Sequence, residues 1–284
     1  DFCLSRGLGD VYKRQRPDAA EPAREHLIER LPSGNARLDQ ILNGGLLKHA
    51  ITLIVGVPGS GKTILSQQLA FHNATAERPS VYLSTMSEPL DKILRYGESL
   101  AFFDHAALRD GRMVYEDLGQ VLGEHGLDEV LNAVDGYLKE LRPGMIVIDS
   151  FRAFHAVTAD HGEFRRFLFG LTRRLTASAT TSVWNAPYSR AQAIEAAEFA
   201  VADAIIALDI KQVAERETRV LQVLKLRGSG YMSGEHGYRI TEAGLNVFPR
   251  FADGHVEGRY QMSPDRVATG IAALDELLGA GGYW

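Results

Sequence analysis

The sequence predicts an α/β fold: a mainly parallel central sheet flanked by helices, with antiparallel strands at its C-terminal edge. Three observations lead there. Apolar runs of strand length alternate with helical patterns from residue 50 to about 185, the rhythm of βαβ units. The first of those runs ends in a glycine-rich turn that opens a helix. From about residue 202 the chain reads as strand after strand, which suggests an antiparallel extension of the sheet.

The elements follow in order. Residues 50–56, AITLIVG, form a nearly continuous apolar run, suited to a strand buried on both faces. Residues 61–76 read as a helix. Further strands are expected at 80–85, 112–116, 144–149, 180–185, 202–209 and 218–226, and helices at 89–101, 125–141 and 161–176. Pro143-Gly144 marks the turn before the strand 144–149, and Phe102-Phe103 is expected to pack in the core.

Composition narrows the class. The 284 residues are 45% hydrophobic and 24% charged, enough to build a sizeable core and to exclude a mostly disordered chain. No run of eighteen apolar residues occurs, so no membrane span is expected. A single Cys cannot form an internal disulfide, and the expected location is cytoplasmic. The net charge of -5 makes nucleic acid an unfavoured partner. Arg165-Arg166 and Arg173-Arg174 read as a solvated or inter-subunit helix face. His155, His161 and His236 lack metal-ligand spacing.

The two ends differ from the middle. Residues 1–15, DFCLSRGLGDVYKRQ, lack helical or strand periodicity. They resemble a translated sequencing-adapter tail; a signal peptide is the alternative, but its apolar stretch is missing. Residues 269–284, TGIAALDELLGAGGYW, repeat the order of residues 33–47, SGNARLDQILNGGLL. Tandem duplication accounts for this most simply. The expected division is a non-native tail at 1–15, one domain at 16–252, and a linker with the start of a second unit at 253–284.

Gly56-Val-Pro58-Gly59-Ser60-Gly61-Lys62-Thr63 matches the P-loop pattern between a strand and a helix. The glycines let backbone N–H groups turn inward around a phosphate, and the helix N-terminus adds its positive dipole end. Lys62 is expected on the β- and γ-phosphates and the Thr63 hydroxyl on Mg²⁺. Ile64 completes the expected nucleotide-binding stretch. Met145-Ile-Val-Ile-Asp149-Ser150 is an apolar strand ending in an acid, which places Asp149 beside the same Mg²⁺. Hydrolysis also needs a group to orient the attacking water. In RecA-like folds it stands after the strand that follows the P-loop helix, where Glu88 is the only acid of residues 81–89. Capping of the next helix is its other reading. Asn185 ends the strand 180–185 and is a γ-phosphate sensor or a turn residue.

The C-terminal stretch Leu224-Lys225-Leu-Arg227-Gly-Ser229-Gly-Tyr231-Met-Ser-Gly-Glu-His-Gly-Tyr-Arg-Ile-Thr241-Glu242-Ala-Gly-Leu-Asn-Val-Phe-Pro249 adds the most specific sign. Together with the P-loop, Asp149-Ser150 and the leader at 33–47, it resembles the KaiC family of RecA-like ATPases over residues 24–250. The resemblance implies a RecA-like P-loop fold and a homohexameric ring with ATP bound between subunits. It implies that Lys225 and Arg227 reach the neighbour's nucleotide near the γ-phosphate. Ser229, Tyr231, Thr241 and Glu242 would lie at the same nucleotide. One glutamate, in Ser87-Glu88, stands where the family has two, and Tyr231 stands where clock members carry His. The family's autokinase activity belongs to a second domain. The expected function is therefore a slow, Mg²⁺-dependent ATPase domain of a clock-type signalling ring with protein partners. The alternatives are a nucleotide-gated assembly module with negligible hydrolysis and a RecA- or helicase-like DNA motor.

Overall fold

A computed structural model describes residues 28–85, 89–158, 160–189, 192, 196–250 and 268–278. The N-terminal tail, Glu88, most of the linker and the second Gly-Gly pair lie outside the described residues. The chain divides into two compact units, Asp1–Pro249 and Arg250–Trp284.

In the first unit a nine-stranded sheet carries the site, in the order β11-β10-β9-β8-β3-β7-β6-β4-β5. Strands β3 (Ile51–Gly56), β4 (Ser80–Ser84), β5 (Met113–Asp117), β6 (Met145–Asp149), β7 (Thr181–Ala186) and β8 (Ala204–Val213) run parallel. Strands β9 (Arg216–Leu226), β10 (His236–Thr241) and β11 (Gly244–Phe248) continue it antiparallel at one edge. A short pair, β1 (Arg30–Leu31) and β2 (Leu46–Leu47), stands apart. The α/β expectation, with its antiparallel C-terminal edge, is what the structure has.

Side-chain alternation explains the unbroken apolar runs. Leu53 and Val55 of β3, with Ile146 and Ile148 of β6, enter a core on one sheet face. Ile54, Met145 and Val147 enter a second core on the other. Successive residues of a strand point to opposite faces. A parallel sheet covered on both sides therefore needs apolar residues at every position.

The first core lies under α5 (Gly119–Glu140) and α7 (His161–Ala177), the second under α1 (Ala36–Ile41) and α2 (Lys62–Asn73). Helix α3 is Leu90–Gly97, ending short of the expected residue 101. In α5 the expected segment 125–141 is only the second half. Gly126 leaves helical geometry at φ 76°, a region glycine enters freely, and the pattern before it is too short to read. Three five-residue helices escape periodicity for the same reason: α4 (His105–Arg109), α6 (Arg152–Ala156) and α8 (Ala197–Val201). Phe102 and Phe103 pack at the margin of the second core, their rings 6.0 and 4.9 Å from Phe71.

The repeated leader folds alike in both units. Ser33 N–H donates to Asp39 Oδ1 at 2.9 Å before α1. Thr269 N–H donates to Asp275 Oδ1 at 2.7 Å before α9 (Ala272–Leu277). Gly34 and Gly270 both take positive φ, 75° and 82°. Burial separates the copies: Leu38 and Ile41 are fully buried, while Leu277 is 83% exposed.

Candidate functional site

The P-loop leaves the carboxyl end of β3 and turns into α2. Gly59 and Gly61 take positive φ, 80° and 92°, and nothing lies within 4 Å of where a Gly59 Cβ would stand. Backbone alternating through this region turns N–H groups to one side and makes a phosphate nest. The loop is braced from outside. Tyr238 of β10 donates its hydroxyl to Ser60 O at 2.6 Å. A Cβ on Gly61 would come within 2.8 Å of Ile240.

Lys62, the first residue of α2, is mostly buried. Its Nζ donates to Gly56 O at 2.8 Å and Val57 O at 3.0 Å. Burial lowers its pKa, opposed by the charge of Asp149. Thr63 Oγ1 donates to Asp149 Oδ2 at 2.6 Å, joining the loop to the carboxyl end of β6. Tyr82 of β4 donates to the same oxygen at 2.6 Å, and burial first, then Asp149, raises its pKa strongly.

These groups open on a cavity of about 620 Å³. Pro58, Gly59, Lys62, Thr63, Asp149 and Arg152 are among its lining residues. The volume is of the order a nucleotide needs. Ile64 packs toward the second core instead. Asn185 is not a turn residue: it is fully buried inside β7, level with Asp149, and donates to Ser66 Oγ at 2.8 Å, fastening α2. Thr85, three residues before Glu88, donates to Ser150 O at 3.1 Å.

The C-terminal candidates are not brought into this cavity. The P-loop leaves β3 at Gly56, level with Leu208 of β8. Lys225 and Leu226 pair with Ile205 and Ala204, and Ala204 is level with Thr52 at the start of β3. From Thr52 to Gly56 is roughly 13 Å at the rise of a strand residue. Lys225 Nζ donates to Phe199 O and Ala200 O at 3.1 and 3.4 Å. Burial, then the neighbouring Arg227, lowers its pKa. Arg227 donates to Ala200 O at 3.1 Å and pairs with Asp203 at 3.3 Å. Ser229 accepts from Asn43 at 3.3 Å, and Tyr231 packs on the second core. Thr241 lies at the end of β10, and the carbonyl of Glu242 accepts from Ala101 N–H at 2.7 Å.

Tyr82, Tyr238 and Arg152 were missed by sequence reasoning. A tyrosine within an apolar strand was the available signal, because a buried hydroxyl needs a partner. His155, which lacks metal-ligand spacing, bonds through its ring to the buried carboxylate of Glu198. Of the arginines read as a helix face, Arg174 pairs with Asp135 at 2.9 Å. Among the described residues no helix is long and apolar enough to cross a membrane.

Comparison with known proteins agrees with this geometry. The family model described as "ATPase: KaiC" matches residues 31–252. The circadian clock oscillator protein KaiC of Parathermosynechococcus lividus is 28% identical over 265 residues, 89% of this chain and 48% of its own length. KaiC 1 of Synechocystis is 26% identical over 282 residues, 95% of this chain and 53% of the relative. KaiC of Prochlorococcus marinus is 28% identical over 268 residues, 90% and 52% respectively. The chain spans about half the length of the curated relatives it matches.

Proposed function

This chain belongs to the KaiC family of ATPases, and from that premise we propose that residues 16–252 form a slow, Mg²⁺-dependent ATPase domain that works in a homohexameric ring, with ATP between subunits. The convergence of Lys62, Thr63 and Asp149 on one cavity carries this reading. The linker and second leader at 253–284 begin another such unit. The chain acts in the cytoplasm as a clock-type signalling protein, with protein partners.

The P-loop N–H groups and the α2 dipole hold the phosphates. Lys62 exchanges two carbonyl partners for phosphate oxygens, which bear more charge and bind an ammonium more strongly. Thr63 Oγ1 and Asp149 Oδ2 are hard oxygen donors 2.6 Å apart at the cavity wall, a donor set that fits Mg²⁺. When bound, that ion supplies neutralisation of charge on the β- and γ-phosphates. Glu88 orients or deprotonates the attacking water. Lys225 and Arg227 of the neighbouring subunit meet the charge that develops on the transferred phosphoryl group. Arg227 suits this place because its planar fork matches phosphate oxygens. With Glu88 as the single acid of residues 81–89, turnover is slow.

Phosphate release by the purified protein and by Lys62→Ala tests this. Release above buffer from the parent alone supports the reading; equal rates sink it. ATP-dependent hexamers on sizing chromatography without turnover would favour the assembly module.

A further inference from the structure

Glu198 is fully buried, and a buried carboxylate persists only when its oxygens are satisfied. His155 Nε2 lies 3.1 and 3.2 Å from its two oxygens, and Tyr188 donates to Oε1 at 2.8 Å. Burial alone would raise its pKa. The bonds from His155, its own backbone and Tyr188 outweigh burial and hold it below the usual value.

Each partner sits where it matters. His155 belongs to α6, the helix just beyond Asp149, and Arg152, Ala153 and Ala156 of α6 line the nucleotide cavity. Glu198 belongs to α8. That helix has five residues and no side-chain cap, too little to hold itself in place. Its carbonyls at Phe199 and Ala200 accept from Lys225 and Arg227. Asp203, just past α8, pairs with Arg227 and accepts from Ile51 N–H at 3.0 Å. Lys225 and Arg227, which extend from the end of β9, are therefore held by carbonyls of α8, and α8 packs on the first core through Ala197, Phe199 and Val201 and is joined to α6 by the buried carboxylate of Glu198.

We infer that Glu198 is a positioning residue: through His155 and α6 it ties the two cations that a subunit offers its neighbour to that subunit's own nucleotide cavity. This rests on the proposed trans role of Lys225 and Arg227. Glu198 is not among the residues that line the cavity. It fixes the carbonyls against which the cations are aligned, and a shift of α6 on filling the cavity reaches them through the His155–Glu198 bond.

Mixed rings separate this from a merely structural role. An Arg227→Ala chain keeps its nucleotide site and offers no arginine. A Lys62→Ala chain offers its arginine and lacks a working site. Mixing the two should recover hydrolysis. Glu198→Gln is near-isosteric and uncharged. Placed on the Lys62→Ala chain, it should lower the recovered kcat about tenfold with little change in KM for ATP. Placed on the Arg227→Ala chain, it should leave the recovered rate within about twofold. Equal loss from either chain, or no loss from both, overturns the inference. No recovery in the mixture without Glu198→Gln overturns the trans reading itself, and the inference with it.

Discussion

The two ends of the sheet present their cations differently. At the carboxyl ends of β3 and β6, Lys62, Thr63 and Asp149 meet at one cavity within a single chain. At the opposite end, Lys225 and Arg227 lie level with the start of β3, with backbone carbonyls of α8 as partners. One end gathers its groups within one chain. The other holds Lys225 against backbone carbonyls, and Arg227 against one carbonyl and the carboxylate of Asp203. In the proposed ring each site takes its cradle from one subunit and its transition-state cations from the next, so binding and turnover should be separable by mutation.

Lys62→Ala should show the largest effect, because it removes both binding charge and catalysis. Phosphate release should fall by at least about a hundredfold, with ATP binding weakened as read by calorimetry. Arg227→Ala should sharpen the contrast: kcat falls about a hundredfold, while ATP affinity stays within about threefold. Loss of binding in Arg227→Ala would erase the distinction between the two ends. Tyr82→Phe should do least. It removes one hydrogen bond to Asp149 and keeps Thr63 in place. Chemical denaturation should show a loss of about 1.5 kcal/mol, with turnover reduced less than tenfold.

What the sequence disclosed depended on how local the chemistry is. The P-loop spans eight consecutive residues, and Asp149 ends a single apolar strand, so both could be read along the chain. The central strands β3 and β6 were legible because burial on both faces leaves nearly unbroken apolar runs. The His155–Glu198–Tyr188 cluster was not legible. Its members come from three segments with no fixed spacing, and only the fold joins them. The repeated leader shows the same limit. The bond from its first N–H to the helix aspartate recurs in both units, since it depends on neighbours in sequence. The burial of Leu38 and exposure of Leu277 depend on what surrounds each helix. The turn reading of Asn185 fails because β7 runs one residue further, to Ala186.

The most direct test of the divided site is steady-state phosphate release from Lys62→Ala and Arg227→Ala, each alone and then mixed. Each variant alone should stay near buffer level, and the mixture should recover a substantial fraction of parental turnover. A mixture no more active than the sum of its parts would contradict a site shared between subunits.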